Sequence, residues 1–430
     1  MIDLREALDR TLLLMRDELV TETPDAALVD ALTATQIALV ADEHTLGSLS
    51  AQTAFTTIAM LCARSGHRVY LLAPEIPLAG LQPPLAGNHL VRALLDADNR
   101  IVPTWRFETR LPVNEIDLEL RLGASPSRCA AVMQRKLTAD SWSASLLRDA
   151  PSSVWNDTLV WPLGAMAGAA LAAAEAFKCG MRKLKRFARN EDLFEEFFRP
   201  TNVSRITLAA PGSPMPDELG AFDVVSGGAI TNGLLYALTR IPSVRGLARV
   251  IEPDITDPTN LNRYMLLLTD RLGGAKVNQL SELDLGGLSV DPCLYRFEGE
   301  HMLGALSNRV LVGVDHIPTR WSVQRAMPAW VGVGATTHWS AMASFHTPGS
   351  PCAGCLHPRD DATSGPIPTV AFVSFMAALF LTTYFLLSLN GRPATAEHVY
   401  LTLPRPETLW RSRVAHHPDC PLGHFTEGAV

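Results

Sequence analysis

Residues 222–233 read FDVVSGGAITNG, and this stretch decides the fold. An apolar strand, Phe222 to Val225, stops at a turn containing Gly227 and Gly228, and a helix runs from Ala229 through about Thr239. The chain returns as a strand at Leu247 to Ile251, ending in Glu252-Pro253-Asp254. This β-α-β order predicts a Rossmann-like parallel unit. Backbone N–H groups at its first turn, with the positive end of the helix dipole, suit a phosphate. Glu252, closing the next strand, stands where an acidic side chain meets a ribose hydroxyl in nucleotide folds.

The same order occurs earlier in the chain. Thr35 to Val40 predicts a strand, Ala41 to Ser48 a polar turn, the following residues a helix to about Ser65, and Val69 to Leu72 a second strand. The only glycine of that turn is Gly47, so it is poorly equipped for a pyrophosphate. The Ala-rich run Trp161 to Phe187 predicts a closely packed helix that ends the first domain, and 184–205, the most charged stretch, reads as a helical linker. Further strands are expected at Leu288 to Phe297, Val310 to Val314 and Ala329 to Gly334. The expected fold class is α/β, with two related Rossmann-like domains covering 1–200 and 201–430.

Composition narrows the function. The 430 residues are 47% hydrophobic, which supports a sizeable core, and only 19% charged, as expected where sheets are covered on both faces. With 37 Lys+Arg against 44 Asp+Glu and no basic run, nucleic acid is excluded as the principal partner. Residues 1–20 lack the basic start, apolar run and cleavage site of an export signal. Ala371 to Leu389 carries no charge over 19 residues, a length near that needed to span a bilayer; without flanking Lys or Arg it reads instead as a helix buried on the sheet. The expected location is the cytoplasm, with no membrane partner. The low, odd cysteine count agrees, since Cys62, Cys129, Cys179 and Cys293 sit singly in apolar segments as core thiols do.

Beyond Glu252 come Asp254, then DPTNLNRYML with Asn260 and Arg263 three residues apart, then LGGAKVNQL with Lys276. NRVLVGVDHIPTR brings a strand to Asp315, where a carboxylate at the strand's C-terminal end suits a magnesium ion. The runs GGAITNG, EPDITDPTNLNR, GGAK, VDHIPTR, VGVGATTH and PCAGCL together resemble the ThiF/MoeB/HesA superfamily, the adenylating core of ubiquitin-activating enzymes, over roughly 205–430. The resemblance implies an ATP-binding domain that adenylates the C-terminal carboxylate of a small protein ending in glycine. It implies that Gly227, Gly228 and Ala229 cradle phosphate, that Glu252 holds ribose with Asp254 beside the nucleotide, that Asn260, Arg263 and Lys276 grip the triphosphate, and that Asp315 coordinates Mg2+. Two departures stand out: Ile230 and Thr231 replace a third close glycine and small residue, and Glu252 replaces the commoner Asp.

The first half resembles the same fold without the N-L-N-R block, the lysine or an equivalent of Asp315, which implies an inactive adenylation domain fused to an active one. One chain would then reproduce the pseudo-symmetric dimer of the superfamily, either alone or as a homodimer. A basic residue lent across that interface is expected from Arg5, Arg10 or Arg16; each also reads as the solvated face of a helix.

Cys352 and Cys355 form a C-x-x-C, and Cys420 stands where relatives place a second pair. With His424 they make the expected structural zinc site, His417 and His357 being replacement ligands. The segment after the C-x-x-C contains no cysteine, so the thioester nucleophile of a full activating enzyme is missing there, and the enzyme either uses another cysteine or stops at the adenylate. His316, His338 and His346 read as ordinary loop histidines, and Trp321, Trp330 and Trp339 as packing the interface or lining a partner groove.

The expectation is thus an ATP-, Mg2+- and zinc-dependent adenylyltransferase acting on a ubiquitin-like or sulfur-carrier protein in a small bacterial-type pathway, with a conjugating enzyme as a further partner. The alternatives are adenylation of a short peptide in antibiotic biosynthesis, a catalytically dead scaffold of the same fold, and an NAD-dependent oxidoreductase, which leaves N-L-N-R, the lysine and C-x-x-C unexplained.

Overall fold

The computed structural model describes residues 2–104, 106–113, 115–148, 155, 161–299, 303–360, 365–391 and 396–423. Within them the two halves repeat one topology. The first sheet contains β1 (Gln36–Val40), β2 (Arg68–Leu72), β3 (Phe107–Glu108), β4 (Ile116–Leu122), β5 (Ala131–Ala139), β6 (Ser143–Leu147) and β7 (Val203–Thr207), in the order β3-β2-β1-β4-β5-β6-β7. The second contains β8 (Glu218–Val225), β9 (Arg245–Ile251), β10 (Leu288–Cys293), β11 (Arg309–Val312), β12 (Trp330–Thr337), β13 (Ser340–His346), β14 (Glu397–Thr402) and β15 (Trp410–Arg413). Its order is β10-β9-β8-β11-β12-β13-β14-β15, so β8 to β14 match β1 to β7 one for one. In each sheet the first five positions pair in parallel and the rest antiparallel. The α/β class and the duplicated Rossmann-like architecture therefore hold.

The helices that follow β1 and β8, Leu49–Arg64 and Ala229–Thr239, occupy matching places, as do Leu163–Arg182 and Ala371–Leu389. Both long helices are buried nearly throughout, and they pack on each other through Phe177 and Phe372, whose ring centroids lie 5.5 Å apart. Alanine dominates Leu163–Arg182 because a helix covered on all sides leaves no room for larger side chains. Ala371–Leu389 is long and apolar enough to cross a membrane, but its length is spent inside the protein, against β12, β13 and the neighbouring helices. Each fully buried Leu or Phe there contributes roughly 1.5–3 kcal/mol.

Residues 184–205, read as a linker, are integrated into the fold. Lys185–Phe187 forms one 3-10 turn, Glu191–Phe197 a short helix, and the chain then enters the first sheet as β7, all of which lies past the expected division at 200. The charges of this stretch face solvent in pairs such as Lys185 with Glu195, while Phe194 and Phe198 are buried. Phe198 lies 5.4 Å from Trp339 of the second half, centroid to centroid, and the Trp339 indole donates to Glu18 of the first, so this tryptophan packs the interface between halves. Trp330 packs instead within the second half, on Phe345 and Phe385.

A candidate nucleotide cleft

The turn after β8 is built by its own side chains. Ser226 adopts φ 129°, and the Thr231 hydroxyl donates to its carbonyl oxygen at 2.6 Å. Asn232 Nδ2 donates to the carbonyls of Gly227 (3.2 Å) and Gly228 (3.0 Å). The turn is thus clamped by Thr231 and Asn232, the side chains that follow the paired glycines. The Gly227 N–H donates to Glu252 Oε2 at 2.7 Å, and Gly228 N–H donates to Ser226 Oγ at 2.9 Å. Both glycine amides are therefore engaged within the loop. What faces the cleft is the first turn of Ala229–Thr239, which has no side-chain cap, a natural place for an anion.

Glu252 is buried and bonded at both oxygens, its Oε1 accepting from the Asp254 N–H at 3.0 Å. It fixes the turn and the start of the next loop together. Asn260 is buried too, and its Oδ1 accepts from the Asp257 N–H at 3.1 Å in a capping box around the 3-10 turn Pro258–Asn260. Three residues on, Arg263 donates to the carbonyl of Thr259 and to Asn262 Oδ1 (2.8 Å). Burial lowers the Arg263 pKa against the opposing pull of Tyr264, with nearby Arg10 lowering it further. Lys276 Nζ bonds Asp254 at 3.1 Å and lies 5.9 Å from the Tyr264 ring centroid. Burial works against its charge, but Tyr264, Glu252 and Asp254 outweigh it and hold the ammonium above its ordinary pKa.

These groups line one cleft of about 380 Å³, together with Ser226, Gly228, Ala229, Asp315, Arg296 and Thr336. Asp315 is exposed at its mouth, three residues beyond β11. Across from them stands Arg10, from the helix Asp9–Arg16 of the first half. Of the three arginines expected near the interface, Arg5 and Arg16 are both committed to Asp25, and Arg10 is the one that reaches the cleft. Tyr264, Asn232 and Arg296 escaped the sequence reading. Tyr264 and Asn232 sit inside motifs already quoted, next to Arg263 and Gly233, whereas nothing local marks Arg296.

The matching region of the first half is closed. The helix after β1 is capped by Ser48, whose side chain accepts from the Ala51 N–H, and the turn before it by Asp42, which accepts from Thr45. Trp155 is buried there, its indole N–H donating to Ser50 Oγ at 2.9 Å, and a Cβ on Gly123, just after β4, would come within 3.1 Å of it. Gly123 corresponds in topology to Gly313 after β11, which lines the second-half cleft. An aromatic ring and a carboxylate thus stand where the second half has an open cleft and an uncapped helix start.

Cys352, Cys355 and Cys420 are buried together, with Sγ atoms 3.8 Å (Cys352–Cys355) and 3.4 Å (Cys352–Cys420) apart. A tetrahedral zinc with Zn–S of 2.3 Å would set S···S near about 3.8 Å, so the thiols fit such an ion. His416 Nδ1 is 3.9 Å from Cys355 Sγ. His424 lies outside the described residues. The other two replacement ligands are turned elsewhere: His357 Nε2 faces Arg320 at 3.2 Å, and burial together with that cation holds its pKa down at about 3, while His417 Nδ1 accepts from the Asp419 N–H. Of the isolated cysteines, Cys62 and Cys179 are buried, and burial raises both thiols, that of Cys179 to about 12.

Residues 36–194 match the family described as the BilD N-terminal domain. The chain is similar to the uncharacterized protein y4jF of Sinorhizobium fredii (strain NBRC 101917 / NGR234), 27% identical over 225 residues, which are 51% of this chain and 43% of that protein. The chain thus spans less than half the length of the curated relative it matches. Among solved structures, E. coli MccB with ATP aligns at 14% identity and TM-score 0.38 over 67% of this chain and 97% of that one. MccB with MccA aligns at 16% identity and TM-score 0.39 over the same shares, and PaaA at 13% identity and TM-score 0.38 over 46% of this chain and 73% of its own.

Proposed function

We propose that the second half is an ATP-dependent adenylyltransferase that activates the C-terminal carboxylate of a polypeptide, and that the first half is its inactive partner domain. The observation that carries this reading is the convergence in one cleft of an uncapped helix start, Lys276, Arg263, Arg10 and Asp315, groups that lie far apart in the chain. In the reaction, a carboxylate oxygen attacks the α-phosphorus of ATP, the bond to the β-phosphate oxygen breaks, and acyl-adenylate and pyrophosphate are formed. Negative charge accumulates on the phosphoryl oxygens, and fixed cations in a partly dry site stabilise it. Arg263, Lys276 and Arg10 are those cations. Asp254, the counter-ion of Lys276, gives way to phosphate, and Asn260 and Glu252 hold the loops that present these groups, with Glu252 beside the ribose.

Asp315, an exposed carboxylate at the mouth, fits a hard cation and would hold Mg2+, which when bound supplies charge neutralisation on the phosphates. Cys352, Cys355 and Cys420 would hold a structural zinc, with His416 or His424 completing the set. All seven cysteines are described, and none lines the cleft, which supports an enzyme that stops at the adenylate and passes it to a partner.

The polypeptide is a ubiquitin-like or sulfur-carrier protein ending in glycine, or a short peptide; the cleft chemistry is shared, and the assay separates them. ATP–pyrophosphate exchange is measured with each substrate, alongside Lys276→Met, Arg263→Met and Asp315→Asn. Exchange that requires one substrate class and falls on the order of 10²-fold or more in the variants supports the reading. Folded, metal-loaded protein that neither binds ATP nor exchanges with either class overturns it.

A further inference from the structure

The two halves exchange buried arginines. Arg64, the last residue of Leu49–Arg64, is completely buried and reaches out of the first half to the loop after β9: its guanidinium donates to the carbonyls of Leu261 (2.5 Å), Met265 (3.3 Å) and Leu267 (2.7 Å). Arg240, the C-cap of the matching helix Ala229–Thr239, is equally buried and reaches the other way, to Gln82 Oε1 (3.0 Å) and the Pro83 carbonyl (2.8 Å) in the loop after β2. The contacts are reciprocal, as in a two-fold interface, but their consequences differ. The loop held by Arg240 belongs to the closed half. The loop held by Arg64 carries Asn260, Arg263 and Tyr264.

We propose that Arg64 is a positioning residue for the cleft: from the half without a nucleotide site, it fixes residues 261–267 from behind and so sets the direction in which Arg263 and Tyr264 enter the site. The guanidinium plane offers several N–H groups in a rigid fork, and here the fork spans three carbonyls of one irregular segment that has no regular secondary structure to hold it. A lysine ammonium, a point charge on a flexible stem, cannot bridge the same three acceptors. The inactive half then has a task beyond filling space: it completes the backbone of the active site. This rests on the nucleotide reading above only for its effect on ATP.

The test compares Arg64→Lys with Arg240→Lys, two changes of equal burial and chemistry, of which only the first touches the cleft loop. Thermal stability falls in both. In Arg64→Lys alone, residues 261–267 lose hydrogen-exchange protection without nucleotide, and ATP-dependent exchange falls by on the order of 10²-fold in kcat/KM, chiefly through the KM for ATP. An unchanged KM in Arg64→Lys, or an equal rise in Arg240→Lys, overturns the proposal. Should the wild type not bind ATP, the adenylation reading fails, and hydrogen exchange alone decides the role of Arg64. Should Arg64→Lys not fold, the wild-type protein still answers: amides of 261–267 open together with the end of the Leu49–Arg64 helix, and independent opening refutes the coupling.

Discussion

Replacing Gly227 by alanine tests how the cleft is built. The backbone there is in an ordinary region, so the substitution adds a methyl group without backbone strain. That methyl would lie 2.8 Å from Glu252 Cγ and 3.1 Å from Lys276 Cβ. Neither is the free end of a flexible side chain: Glu252 is pinned at both oxygens, and Lys276 Cβ is fixed to the start of its helix. Overpacking of this kind costs about 1–3 kcal/mol. Moving Glu252 aside also loses the 2.7 Å bond from the Gly227 N–H, and a hydrogen bond to a charged group contributes about 1.5–3 kcal/mol. The expected loss is therefore roughly 2.5–6 kcal/mol. Gly228→Ala is the comparison: its methyl would meet Ser226 Oγ at 3.0 Å and Tyr264 Oη at 3.7 Å, and turning Ser226 about χ1 relieves the contact at the loss of the 2.9 Å bond from the Gly228 N–H; with the weaker helix cap its expected cost is about 1–2 kcal/mol. Urea unfolding of both variants gives the two values. Equal losses, or a greater loss in Gly228→Ala, refute the claim that Glu252 and Lys276 are locked against Gly227.

Cys420→Ala removes one thiol of the buried cluster: bound zinc measured by atomic spectroscopy falls from near one per chain to near zero, and thermal stability falls with it, whereas wild-type protein purified in zinc-containing buffer without any metal excludes the site. His67 is fully buried, and burial, opposed by its bond to the Leu32 carbonyl, holds its pKa down at about 4. An imidazole with a lowered folded pKa leaves the proton to the unfolded state, so its contribution is intact above pH 6.5 and is lost as pH falls toward 4, by up to about 1.4 kcal/mol per unit. The urea midpoint of His67→Phe should accordingly fall less steeply over that window than that of the wild type. In the first half, Trp155→Phe loses the bond to Ser50, about 0.5–1.5 kcal/mol, together with part of the ring's volume, and Trp155→Ala opens the full cavity, costing about 3–5 kcal/mol; a Trp155→Ala protein as stable as the wild type would show that the ring fills nothing.

Much of the second half was legible because its signals are local. The strand, the paired glycines and the helix of 222–239 lie next to one another, and so do the parts of DPTNLNR, so periodicity and turn chemistry were enough to place Glu252, Asn260 and Arg263 near one turn. The Cys352-x-x-Cys355 pair was legible from its spacing, whereas Cys420, 65 positions further on, was grouped with it only through the resemblance to relatives that place a second pair there. The linker reading of 184–205 failed because charge density reports only the solvent side of a segment, and the buried side is carried by Phe194 and Phe198. The antiparallel strands β6, β7 and β13 to β15 were missed; β15 is exposed throughout and β13 buried almost throughout, so neither shows the alternation that marks a strand.

The sequence by itself determined the α/β class, the duplication and the inventory of cations, because alternating apolar runs and glycine turns impose these within a few tens of residues. Tertiary structure alone decided which arginine of the first helices faces the cleft, that the glycine amides are spent on Glu252 and Ser226, and that Trp155 closes the first half. It also decided that Arg64 and Arg240 reach across the halves. Each of these depends on which distant segment lies opposite a side chain, as with Arg64 and the carbonyl of Leu261, 197 positions away, and no local pattern records that.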